Sequence, residues 1–127
     1  MARVLLVEAD PETRNKLVPA LEKLNHDVTA LEGVAHAWKW EVLDHDFDLY
    51  VLGAHPENLF VLGLCSSLHI VYPARPILVL VAGKSPSDGQ QAVDAGATAY
   101  LPKPVNIVEF ERTILELHHE ESTDFTA

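Results

Sequence analysis

The sequence predicts an α/β fold: a doubly wound, five-stranded parallel sheet with helices on both faces. Two observations carry this. Five short hydrophobic runs, at residues 4–7, 27–31, 49–52, 76–81 and 98–101, alternate with stretches of helical periodicity. The first, third and fourth runs are apolar at nearly every position, as strands covered on both faces must be. Right-handed crossovers between parallel strands then place helices on both sides of the sheet. At 127 residues the chain is the size of one domain with one core.

Each element has its own local reason. After the first strand, Asp10 is a helix N-cap and Pro11 occupies the first turn, where its missing N–H costs nothing. Leu17, Leu21 and Leu24 give that helix an apolar stripe. Pro19 lies inside it and is expected to kink it, or to cost about 3 kcal/mol. Gly33 precedes a second helix with Val34, Ala35, Trp38 and Val42 expected on one face and Trp40 nearly opposite. A third helix, about residues 58–70, is apolar on most sides. A short fourth helix, about 87–95, ends at Gly96. Asn106-x-x-Glu109 is similar to a capping box and opens a last helix with Ile107, Phe110, Ile114 and Leu117 toward the core. The polar end reads as a tail or the start of a linker, which divides the chain into a domain at 1–119 and a tail at 120–127.

Composition narrows the function classes. Apolar residues make up 48% and charged residues 22%, an ordinary globular balance. The formal charge is −10 with no Lys/Arg cluster, which argues against direct nucleic-acid binding. The single cysteine, Cys65, excludes an internal disulfide, fits a reducing cytoplasm and reads as an inert buried thiol. No signal peptide is read at the start, and no apolar stretch reaches the roughly 18 residues of a membrane span. Seven histidines are present, yet none are spaced i, i+4, and His118-His119 point to different helix faces, so no metal site is expected.

In such folds, sites form at the C-terminal ends of the strands, where strand order reverses. Those ends carry Glu8-Ala9-Asp10, Gly53, Val81-Ala82 and Lys103-Pro104. With VLLVEADPETR at the start and the run from Ala95 to Pro104, AGATAYLPKP, the pattern over about residues 3–117 resembles the receiver domain of two-component response regulators, a flavodoxin-like (βα)5 fold. The resemblance implies an acidic pair and an acceptor aspartate around magnesium, a lysine and a hydroxyl for the phosphoryl oxygens, and an aromatic that follows that hydroxyl inward.

Position by position, Glu8 matches the first acidic residue, Tyr100 the switch aromatic and Lys103 the lysine. Ala9 stands at the second acidic position, Gly53 at the acceptor and Val81 at the hydroxyl. Pro56 follows one residue early, which leaves Leu52 as an alternative equivalent of the acceptor; no Asp or Glu lies between Leu49 and Pro56 in either register. The resemblance therefore implies a pseudo-receiver with weak or absent magnesium binding. It also implies a cis Lys103–Pro104 bond.

Plainer roles stand beside these. Glu8 and Lys103 read as a structural ion pair, and Tyr100 as a fixed rotamer or a switch. Trp40, off its helix stripe, Phe60 in the apolar third helix, and Tyr100 are candidate interface residues. The expected function is a regulatory protein–protein interaction or dimerisation module of two-component signalling, N-terminal to an output domain if the chain continues, with no membrane partner. The alternative is a phosphorylatable receiver with an unusual acceptor, for which Glu57 is a candidate. An unrelated doubly wound enzyme is disfavoured, because the strand ends offer neither a nucleophile–base pair nor a glycine-rich phosphate loop.

Overall fold

The computed structural model describes residues 2–54, 60–83 and 85–118. In chain order the elements are β1 (Arg3–Val7), α1 (Pro11–Lys23), β2 (Asp27–Leu31), α2 (Val34–Lys39), a 3-10 turn at Val42–Asp44, β3 (Leu49–Gly53), α3 (Phe60–Val71), β4 (Ile77–Val81), α4 (Pro86–Asp94), β5 (Ala99–Pro102) and α5 (Ile107–Leu117). All strands pair in parallel, in the order β2-β1-β3-β4-β5.

Alternate residues of each central strand feed two cores. Leu5, Val7, Tyr50, Leu52, Val79 and Val81 pack with Ala37, Val61, Leu64, Cys65, Leu68 and Ala92, from α2, α3 and α4. Val4, Leu6, Leu49, Val51, Leu78 and Leu80 pack with Leu17, Leu21, Phe110 and Ile114, from α1 and α5. This is why the central strands are apolar on consecutive positions: each is buried on both faces. The strand order reverses between β1 and β3, which opens the crevice at their C-terminal ends.

The caps follow the sequence. Asp10 accepts from the Thr13 N–H, Ser85 from the Ser87 N–H and Asn106 from the Glu109 N–H. α1 runs through Pro19 without interruption. Pro19 and Asn15, whose carbonyl loses its partner, are both exposed, so water can take the place of the missing N–H. Cys65 is fully buried, and burial pushes its thiol up from 9.0 to about 11.

The region after Gly33 differs from expectation. α2 stops at Lys39, and Glu41 takes a left-handed conformation (φ 59°) before the 3-10 turn. The expected face of Val34, Ala35, Trp38 and Val42 therefore does not exist as one face. Ala37 is the buried residue of α2, Val42 is buried from the turn, and Trp38 is 43% exposed. Trp40, for which an interface and cover by a neighbouring loop are equally open from the sequence, is half-buried, packed on the core and stacked on His45 at 4.1 Å.

α3 buries Val61, Leu64, Cys65 and Leu68 and exposes Phe60 and Ile70. Residues 58 and 59, the candidate acceptor Glu57, and the 119–127 stretch with its tail boundary lie outside the described residues. Among the described residues no helix is long and apolar enough to cross a membrane.

Candidate functional site

β1 delivers Glu8 to the crevice, and its N–H continues the pairing with β2 by donating to the Leu31 carbonyl at 3.1 Å. The Glu8 side chain is 1% exposed. Its Oε2 accepts from Lys103 Nζ at 2.9 Å and from the Asp10 N–H at 2.9 Å. Its Oε1 is buried with no hydrogen-bond partner. Lys103 arrives from the end of β5, where its own N–H donates to the Val81 carbonyl at 2.9 Å and its bond to Pro104 is cis. Two charges that water would otherwise solvate thus neutralise one another across the top of the sheet.

β3 ends in Gly53, paired with Leu80 of β4. A Cβ at Gly53 would overlap the Glu8 carboxylate, chiefly Oε1. The carboxylate therefore lies across the end of β3, in the space a side chain at residue 53 would need. Leu52, the other register, is fully buried beside Val7. Ala9 is exposed, and Val81 is buried with its side chain in the core.

Asp10 has another use. Its Oδ2 accepts from Thr13 Oγ1 at 2.6 Å and from the Thr13 N–H at 3.2 Å, and these bonds hold its carboxyl below the usual 3.8. The donor set does not fit magnesium, a hard ion that takes near-octahedral oxygen ligands. Glu8 Oε2 is engaged by Lys103, Oε1 is a single unpartnered oxygen, Asp10 caps α1 through Oδ2, and Ala9 and Gly53 bring no side-chain oxygen. Among the described residues no group of three or more His, Cys, Asp or Glu is placed to hold a metal.

Tyr100 is 44% exposed and lies over α4. Its ring stands where a Cβ of Gly89 would be, so Gly89 is the notch that seats it. Phe60 lies at the start of α3, 75% exposed. The site thus brings together Glu8, Gly53 and Lys103, with Val81 bound through its backbone. Ala9 is exposed and lines the same small crevice as Glu8 and Gly53, whereas Tyr100, Phe60 and Trp40 lie elsewhere.

Two residues escaped the sequence reading. Arg14 Nη1 donates to the Glu8 carbonyl at 2.8 Å, and Lys16 Nζ to the Val105 carbonyl at 2.6 Å. Both sit on α1 within two turns of Asp10, so helix geometry points to the strand ends, but a backbone carbonyl leaves no sequence signature.

Comparison with known proteins agrees with this architecture. The model of the response regulator receiver domain matches residues 4–115. Response regulator MprA of Mycobacterium leprae is 34% identical across 98% of this chain and 54% of its own length. The DNA-binding transcriptional regulator NtrC of Azospirillum brasilense is 29% identical across 85% of this chain and 22% of its own length. The chain thus spans about half of one relative and less than a quarter of the other. A response regulator protein from Burkholderia pseudomallei, solved with a phosphorylated aspartic acid, a calcium ion and citrate, superposes with a TM-score of 0.77 at 26% identity, covering 96% of this chain and 69% of that one. This chain belongs to the response regulator receiver domain family, whose members are signalling modules rather than enzymes.

Proposed function

We propose that this receiver domain serves two-component signalling without taking a phosphoryl group at the family position, as a regulatory protein–protein interaction module. The observation that carries the proposal is the Glu8 carboxylate in the space beside Gly53. In the Burkholderia protein an aspartic acid carries the phosphoryl group. Here glycine stands at the end of β3, and the neighbouring carboxylate fills the gap and binds Lys103. Lys103 is thus already neutralised by a residue of its own chain. Alanine at residue 9 removes a metal ligand, and valine at 81 offers no hydroxyl to an oxyanion.

Such a site is a fixed connection between β1 and β5 rather than a place where charge arrives and leaves. Its partner is a second protein, a second copy of this chain, or an output domain covalently attached to it. The last of these accords with the fraction of its relatives' length that the chain spans. With a charge of −10 and no basic cluster, direct nucleic-acid binding is left to any such output domain.

The test is an amide NMR titration with magnesium and beryllofluoride, a phosphoryl mimic. The expected result is no saturable shift at Glu8, Gly53 or Lys103 at millimolar magnesium. Saturable shifts there that spread to Tyr100 would overturn the proposal and require an acceptor elsewhere in the chain.

A further inference from the structure

α2 and α3 leave an apolar groove of about 770 Å³ between them. Trp38 and Phe60 form its walls, and Ala35 and Gly63 line it with almost no side chain. Among the described residues nothing lies within 4 Å of where a Cβ of Gly63 would stand, which leaves that ground open to a close approach. Among the described residues Ser67 is the one polar side chain in the lining. Trp38 also lines a second pocket of about 240 Å³, together with Glu41, Val42, Leu43 and Asp44. Among the described residues neither carboxylate takes part in an ion pair. The nearby basic residues of α2, His36 and Lys39, line neither pocket.

We propose that this α2–α3 surface is a docking site for a basic amphipathic segment of a partner protein. Its apolar side chains would enter the groove against Trp38, and its Lys or Arg residues would meet Glu41 and Asp44. The proposal rests on the interaction-module reading and supplies that reading with a face and a partner class. Three features select the occupant. Among the described residues the groove lacks the convergent polar groups that orient a small ligand, and its apolar walls suit a helix laid in a groove. Exposed tryptophan is a favoured anchor of such contacts. The acidic pocket and the net charge of −10 favour a basic partner. A second copy of this chain would bring the same acidic groups to the contact.

The probe is a synthetic 14-residue amphipathic helix of leucine and lysine, with a leucine–glutamate helix of the same pattern as its counterpart. Each is titrated into the ¹⁵N-labelled chain, with the Trp38 indole and the amides of Val34, Gly63 and Ser67 as reporters. The expected result is saturable shifts at those reporters with the lysine peptide alone. Because a chain of this charge attracts any polycation, two variants decide the matter. Trp38→Ala, at an exposed position, should weaken binding about tenfold or more, and Glu41→Gln with Asp44→Asn should weaken it several-fold and flatten its salt dependence.

Absence of saturable shifts at α2–α3, equal binding of the glutamate peptide, or indifference to Trp38→Ala overturns the proposal. Shifts confined to Val93, Tyr100 and Val108 overturn this surface and leave the interaction-module reading standing. A beryllofluoride response at Glu8 and Lys103 would bring down that reading instead.

Discussion

The Glu8 carboxylate lies where a side chain at Gly53 would begin. The far end of a glutamate is flexible, but this one is held at Oε2 by Lys103 and by the Asp10 N–H. Gly53→Ala must therefore break those bonds or shift β3. A loss of about 1–3 kcal/mol in urea unfolding is expected, the range for overpacking. The conflict lies between two side chains, so Glu8→Ala and Gly53→Ala should be non-additive by more than about 0.5 kcal/mol in a double-mutant cycle. Additive effects would show that Glu8 does not use that space in solution.

The Glu8–Lys103 pair is buried on the acidic side, with 1% of that side chain exposed against 16% for the lysine. Lys103→Met leaves a buried carboxylate without its counter-charge and should cost about 3–5 kcal/mol. Glu8→Gln combined with Lys103→Met should cost less than Lys103→Met alone, because no unpaired charge remains. Chemical denaturation of the three variants checks both the size and the order.

Gly89 to alanine in the middle of a helix ordinarily gains about 1 kcal/mol. In α4 it should not, because the new methyl meets the Tyr100 ring. Gly89→Ala is expected to be neutral or destabilising in thermal melts and to move the Tyr100 ring resonances. Adding Tyr100→Ala should restore the helix gain.

The acid limb of the stability curve has two assignable contributors. Thr13 holds the Asp10 carboxyl below its ordinary 3.8, and the Arg75 guanidinium does the same for Asp46. A folded value below the unfolded one means stabilisation that is fully present above about pH 3.8 and lost as the pH falls through the lower folded value. Thr13→Val and Arg75→Met should each flatten the pH dependence of unfolding below about 4. The Arg75 effect should shrink with salt, because its side chain is 40% exposed and that of Asp46 48%.

Cys65, buried and with its thiol pushed up to about 11, should resist alkylation at pH 8 in the native chain and react promptly in denaturant. Rapid native labelling would mean that α3 opens often.

The central strands β1, β3 and β4 were legible because burial on both faces writes itself as consecutive apolar residues, and the partly exposed β2 and β5 by their place between helical stretches; all five were located to within a residue or two. The caps at Asp10 and Asn106 were legible because their chemistry is local. α2 was misread because nothing in the sequence, neither glycine nor proline, marks the left-handed turn at Glu41. The apolar period was carried through residues 40 and 41 as though the helix continued, which put Trp40 outside and Trp38 inside, the reverse of what is found. Of the site's arrangement, the Glu8–Lys103 pair and the cis Lys103–Pro104 bond were legible, but the lie of the Glu8 carboxylate over Gly53 was not. Which way a glutamate turns at a strand end depends on a glycine 45 positions later and a lysine 95 positions later.

The order β2-β1-β3-β4-β5 leaves the sheet two open margins. Neither invites another strand. β5 is four residues long and ends in Pro102, which has no N–H to give, and it is followed directly by Lys103; β2 begins at the exposed Asp27. Growth of the sheet from chain to chain is discouraged at both margins. Association is steered toward side chains on the helical faces, where it can be selective and reversible, and away from the open-ended stacking by which unprotected strands aggregate.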